Sequence, residues 1–378
     1  MNLLRKILPV LLAAAMLLSL TGCGDTSWIV KVDGVAVNSG LYIYYQGIGY
    51  TAAGYELMAE NTDYYYKVMY GESYIDDTIG DQTVREYMND YAIDMCKQYV
   101  VVERLFEELG LSIDEDSEAL IKSQVNRTWD SQKDSMERAG IAKSTLEKAV
   151  TSSIKEELVF NAYYEVGGLN GTTEDDIRGY LEDNYVRVKY ISIPFADSVD
   201  DAVDSERLSN AVAQAQGYLD RLNAGESMDD LIAEYEASLE TEDESSEEAE
   251  ASDGEETSGD ETQDAEDVTV EEDPYENESV LSLDSTSPSE KFVNYAFTEV
   301  ADGESKLIQD DLNVYLIQKL DILERPEIYD ENRDVFLNAL FDESFTSLLN
   351  ERLSGYTVEE NASSIKRYKA ERALGLEN

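Results

Sequence analysis

No histidine occurs anywhere in the 378 residues. Imidazole general-base catalysis, every triad built on histidine and the commonest metal ligand are excluded together. Cysteine is nearly as scarce, with only Cys23 and Cys96 present. Two such cysteines, one of them close to the N-terminus, supply neither a disulfide framework nor a thiolate zinc site. Cys96 falls in an apolar helical stretch and is expected to be a small core residue. Bases are heavily outnumbered: 29 Lys and Arg face 82 Asp and Glu, for a formal charge of −53. A nucleic-acid partner is excluded, because a phosphate backbone needs a basic face. The same charge keeps the body of the chain from lying flat on anionic lipid. A surplus of carboxylates keeps a protein soluble and also attracts basic or unfolded cationic chains.

What is present begins with a segment that looks like an export signal. Arg5 and Lys6 precede Ile7 to Leu20, an apolar run broken only by Pro9 and Ser19. The run is too short to read as a permanent membrane span. It closes on Leu20-Thr21-Gly22-Cys23, which resembles the processing box of bacterial lipoproteins, in which the cysteine becomes the first residue and carries lipid. Residues 1–22 are therefore expected to be a lipoprotein signal peptide. Cys23 is the expected lipidation site, and the mature chain is expected outside the cytoplasm, held at the bacterial cell membrane by acyl chains. An ordinary secretory signal and a buried helix are the alternatives.

Beyond the tether, Trp28 to Val37 reads as two short strands with Asp33-Gly34 at the turn. Ser39 is placed to cap a helix from about Leu41. The segment from Leu41 to Tyr74 is rich in tyrosine, including Tyr44 and Tyr45. A tyrosine ring can bury a broad face while its hydroxyl stays wet, which suits either packing between helices or a surface that grips varied apolar partners. Thr83 with Glu86 forms a capping-box pattern, and Gly110 supplies the stop. Between them Val84, Met88, Tyr91, Met95, Tyr99, Val102, Phe106 and Leu109 recur at helical steps. Ser112 with Glu115 and Ser144 with Glu147 are expected to open two further helices. Thr173 and Asp176 start a short helix through Tyr185, and Arg187 to Pro194 alternates as a strand. Helices are expected over Ser205–Asn223 and from about Met228 to Ala237.

Glu240 to Asp273 carries 18 acidic residues and no base. Like charges at that density with almost no apolar residues are expected to remain disordered. Acidity is not confined there, since the rest of the chain still carries −35. The tract lacks the ligand spacing and glycine of a calcium loop, so it points to weak, unspecific cation binding and to no dedicated metal or cofactor. Order resumes at Ser279–Leu283, with a helix around Phe292 to Phe297 and two strands near Leu307 and Asn313–Leu320. A final amphipathic helix is expected over Val335–Leu353, followed by a possible strand within Tyr356–Ile365 and a loose tail.

Three pieces in order carry a family resemblance: the lipobox with the Val-Asp-Gly-Val-Ala-Val turn, the helix ending Leu109-Gly110-Leu111-Ser112 followed by Met136 to Ile141, and Arg187-Val-Lys-Tyr-Ile with Leu222 to Leu231, Phe297 to Gly303 and Val314 to Ile317. Together they resemble the PrsA/SurA group of extracytoplasmic foldases over nearly the whole mature chain. The resemblance implies an α+β fold. Residues 23–171 and 322–378 would form a discontinuous, mainly helical chaperone domain. Residues 172–321 would be an inserted parvulin-like domain of about four antiparallel strands with helices, interrupted by the acidic insertion 240–273. The family's two active-site histidines match Tyr190 and Tyr315 here, and its middle site position falls at the insertion. Tyr190 and Tyr315 are thus the catalytic candidates, and Phe292, Phe297, Tyr44 and Tyr45 the candidate substrate contacts. The implied function is a membrane-anchored chaperone or foldase for newly secreted, unfolded clients, with peptidyl-prolyl isomerase activity weak or lost. An isomerase with an altered site, or a non-catalytic envelope scaffold or solute-binding lipoprotein, are the other readings.

Overall fold

The computed structural model describes residues 27–199, 204–247 (backbone alone from 240) and 274–375. The expected signal peptide, Cys23 and residues 248–273 lie outside them. Contacts divide the chain into two compact units, one of residues up to Thr172 together with Phe341 onward, the other Thr173–Leu340. The fold class is α+β, as expected, with helices dominant and the sheets small and antiparallel.

The first unit opens with the expected hairpin of β1 (Trp28–Val32) and β2 (Val35–Asn38). Asp33 and Gly34 take φ of +48° and +79°, the left-handed pair that lets a two-residue turn follow the twist of its strands. Helix α1 (Ser39–Glu60) is capped by Asn38, whose Oδ1 accepts from the Leu41 amide, and Ser39 is buried as the first helical residue. After α2 (Asp63–Met69), short strands β3 (Thr78–Ile79) and β4 (Gln82–Thr83) lead into α3 (Val84–Glu108). Thr83 and Glu86 complete the expected capping box in both directions. Val84 and Met88 of α3 enter one core cluster, and Ala92, Cys96 and Val100 enter another. Cys96 is fully buried there, and burial pushes its thiol well above the ordinary range, so it is an inert packing residue. Helix α4 (Glu115–Ala139) is capped by Asp114 rather than Ser112, and α5 (Lys143–Tyr164) begins at Ala142 with no side-chain cap rather than at Ser144. In each case the cap position is the residue whose backbone is extended just before the helix, and that residue lies two places from the expected serine.

The second unit opens with α6 (Glu174–Asn184), which has the expected Thr173–Asp176 capping box. The chain then enters β5 (Tyr185–Pro194). Side chains along a strand alternate between faces. Ile191 and Ile193 face α7 (Ser205–Asn223) and α8 (Met228–Glu247), while Val186, Val188 and Tyr190 face α9 (Glu290–Thr298). With β6 (Ser279–Ser282), β7 (Ser305–Gln309) and β8 (Asn313–Leu320), β5 forms a four-stranded antiparallel sheet in the order β6-β5-β8-β7. The backbone of α8 runs to Glu247, so the first residues of the acidic tract are helical rather than disordered. Glutamate is a good helix former, and it extends a helix already begun. Where the chain rejoins the sheet, the buried Glu278 carboxylate lies 3.5 Å from Arg187 and 3.4 Å from Arg325, whose guanidinium covers the Tyr275 ring at 3.9 Å.

Helix α10 (Pro326–Ser354) starts at Pro326 rather than at Val335. Proline suits a first helical position, where its missing N–H would have had no partner. From Phe341 onward the chain belongs to the first unit, where Phe345 meets Phe160 edge-on and Phe341 stacks on Tyr164. Strand β9 (Val358–Glu360) pairs with β1, setting Val30 opposite Glu360 and Val32 opposite Val358. The expected loose tail is instead docked as α11 (Ala362–Arg367) and α12 (Ala370–Ala373). Tyr368 is fully buried, and its carbonyl accepts from Gln46 Nε2 at 3.1 Å. Arg372 donates to the Ala139 carbonyl at 2.9 Å, and Glu371 pairs with Arg85. Gly140 ends α4 in the left-handed region at φ +88°, and a Cβ there would meet the Arg372 guanidinium at 2.7 Å. The polar composition of the last residues conceals one large anchor. Replacing it, Tyr368→Ala, should destabilise the first unit by about 3–5 kcal/mol through the cavity left behind, measured as a fall in the urea midpoint.

Candidate functional site

Tyr190 lies on β5 and Tyr315 on β8. The register sets Tyr190 opposite Ile317 and Ser192 opposite Tyr315, so the two tyrosines are diagonal neighbours on one sheet face. Phe292 of α9 descends onto that face with its ring centroid 5.0 Å from each, and the tyrosines are 6.3 Å apart. These are contact separations for tilted and edge-on rings. Phe292 and Tyr315 expose 0 and 1 % of their surface, and Tyr190 and Phe297 are half-buried at the margin of the same cluster. Four of the six expected site residues thus come together, and the rings fill the space between them.

The Tyr315 hydroxyl donates to Asp310 Oδ2 at 2.8 Å and accepts from Asn313 Nδ2 at 3.1 Å. Asp310 sits in the turn between β7 and β8, where its Oδ1 also accepts the Leu312 and Asn313 amides at 2.8 and 2.7 Å. Ser289, whose side chain caps α9 by accepting from the Phe292 amide, lies beside both Asp310 and Tyr315. Burial pushes the Asp310 carboxyl up. The bonds donated by the two amides and Tyr315, with the Ser289 hydroxyl nearby, outweigh it and hold the group below the usual carboxylate range. Burial first, and then the bond to Asp310, push the Tyr315 hydroxyl up to about 12. Asp310 was not among the expected site residues. The signal that could have found it is local: an aspartate two and three residues before amides it can bind in a turn.

Tyr44 and Tyr45 are placed elsewhere, in the core cluster of the first unit. Tyr45 is 6 % exposed, Tyr44 is half-buried, and their rings meet edge-on at 5.7 Å. Tyr45 belongs to the core itself and Tyr44 packs against it. The exposed rings of the same region are Tyr55, Tyr65, Tyr66 and Tyr70. The first unit also carries a groove of about 420 Å³ lined by Tyr164, Glu343, Ser344, Ser347, Leu348 and Glu351, which holds none of the expected site residues. Among the described residues no group of His, Cys, Asp or Glu is arranged to hold a metal ion, and no helix is long and apolar enough to cross a membrane.

No family model matches the chain, and no curated protein does. The chain is similar to solved structures of PrsA foldases. The foldase PrsA from Lactococcus lactis is 10 % identical, with 93 % of this chain and all of that one covered, at a TM-score of 0.33. PrsA from Bacillus subtilis is 14 % identical over 71 % of this chain and 84 % of its own, at 0.23. The foldase PrsA from Streptococcus pneumoniae is 12 % identical over 74 and 88 %, at 0.27. At such scores the likeness carries no argument about activity.

Removing the Asp310 carboxylate leaves the Tyr315 hydroxyl and two turn amides without their acceptor inside the sheet. Asp310→Ala should therefore cost about 2–4 kcal/mol, read as a lower urea midpoint for the second unit. A hydroxyl whose folded pKa lies above its unfolded value of 10 contributes stability below pH 10 that is lost as pH rises toward about 12. The unfolding free energy of the native chain should fall across that window, and Tyr315→Phe should fall less steeply.

Proposed function

We propose that this chain is an extracytoplasmic foldase or holdase of the PrsA type, which engages unfolded, newly secreted protein chains and has weak or no prolyl isomerase turnover. In this reading residues 23–171 and 322–378 act as the chaperone domain, with 322–340 grouped by contacts with the sheet unit. Residues 172–321 are a parvulin-like domain with its insertion at 240–273, and lipid on Cys23 holds the protein to the outer face of the cell membrane. The observation that carries the catalytic half is the packed trio of Tyr190, Phe292 and Tyr315. An X–Pro bond resists rotation by roughly 18–20 kcal/mol. Lowering that barrier needs an apolar proline pocket and polar groups that favour the twisted amide. At this site the pocket space is occupied by rings, and the Tyr315 hydroxyl is committed to Asp310. The chaperone half is supported by the order of family-like segments in the sequence and by a first unit that joins both ends of the chain in one sheet.

Two assays on the unlipidated mature chain separate the readings. Near-stoichiometric suppression of light scattering by a chemically denatured client is expected, with X–Pro isomerisation of a reporter peptide remaining within about twofold of its uncatalysed rate of tens of seconds. An acceleration beyond that, abolished by Tyr190→Phe, would make the protein a working isomerase of altered site. Failure to suppress aggregation would remove the chaperone reading in favour of a scaffold or solute-binding lipoprotein.

A further inference from the structure

The turn of chain around α2 exposes what the rest of the first unit buries. Tyr55, Tyr65, Tyr66, Met69 and Tyr70 leave between 53 and 77 % of their surface open. Tyr66 stacks on Tyr70 with centroids 6.3 Å apart and meets Tyr65 edge-on at 5.6 Å, so three of these rings are contiguous. Exposed carboxylates are interspersed with them along the chain: Glu56, Glu60, Asp63 and Glu72. The only base between Tyr55 and Glu72 is Lys67, and it is bound to Asp77 and leans over the Tyr64 ring. The result is a patch of aromatic faces fringed by unneutralised negative charge.

We propose that this patch is a docking surface for arginine- and lysine-bearing segments of unfolded polypeptide. The inference rests on the foldase reading and names the surface and client chemistry within it. Ring faces are electron-rich and attract guanidinium and ammonium groups, while the adjoining carboxylates add Coulomb attraction. The protein itself makes this pairing twice at short range, with Arg178 over Tyr329 at 4.0 Å and Arg325 over Tyr275 at 3.9 Å. A second copy of the chain is a poor occupant because it brings a charge of −53 to a negative face. The chain's own acidic tract is repelled for the same reason. Rings and a methionine on a short helix tolerate varied sequence, as a surface for unfolded chains requires.

The test measures binding of the full mature chain to a labelled, unstructured arginine-bearing peptide and to its counterpart with glutamate at the same positions, by fluorescence anisotropy. The wild type should prefer the arginine peptide, and Tyr65→Ser/Tyr66→Ser/Tyr70→Ser should weaken that binding by about tenfold, the loss of two exposed cation–π contacts. Glu60→Gln/Asp63→Asn/Glu72→Gln should weaken it and reduce its salt dependence. All six positions are exposed, so circular dichroism and thermal unfolding should match the wild type. Equal binding of both peptides, or unaltered affinity in the tyrosine variant, overturns the proposal. So does a tyrosine variant that keeps the peptide but loses sedimentation with phosphatidylcholine vesicles, which would assign the patch to lipid. Aggregation suppression measured alongside distinguishes the two claims. Peptide selectivity without suppression removes the foldase reading alone, and suppression with an indifferent tyrosine variant removes the docking surface alone.

Discussion

A carboxylate enclosed by protein stays ionised only if it gathers donors, and Asp310 gathers three, two turn amides and the Tyr315 phenol, with the Ser289 hydroxyl beside them. These groups come from the β7–β8 turn, from β8 and from the residue before α9. One ionised group therefore ties the turn, the strand and the helix cap together. Because Ser289 is fixed at the cap, Phe292 three residues later is delivered onto the sheet between Tyr190 and Tyr315. The contact of the three rings on one face of the sheet follows from that arrangement.

The chain uses one residue type in two ways. Tyr42, Tyr45 and Tyr315 are buried with raised hydroxyl pKa values, their rings serving as packing. Tyr65, Tyr66 and Tyr70 have no core to join, because α2 is a short helix none of whose residues is buried. Surroundings decide the role of each ring. A protein without histidine leaves any acid–base chemistry to carboxylates, lysines and tyrosines. It is well supplied with carboxylates and aromatic rings.

Features coded within a few residues were legible in the sequence. The Asp33-Gly34 turn, the Thr83–Glu86 and Thr173–Asp176 capping boxes and the span of Ser205–Asn223 all depend on near neighbours, and the structure has them. Features decided by distant contacts were not. Nothing local marks Tyr368 as the anchor of a docked tail, because its partner Gln46 lies far away in sequence. The burial of Tyr45 in the core of the first unit, with Tyr44 half-buried against it, depends on such distant contacts. Tyr190, Phe292, Phe297 and Tyr315 were legible as a group, but their state was not, since whether rings line a groove or fill it depends on where α9 is pinned. Asp310 was missed for the related reason that one more aspartate in so acidic a chain attracts no notice.

The central claim, that the aromatic face of the sheet unit is closed to proline, is tested most directly by NMR. The full mature chain carrying ring-labelled tyrosine would be titrated with a proline-containing peptide. Resonances of Tyr190 and Tyr315, assigned through their phenylalanine variants, are expected to stay in place at saturating peptide. Peptide-dependent shifts confined to those two rings would contradict a filled face and reinstate a working isomerase site.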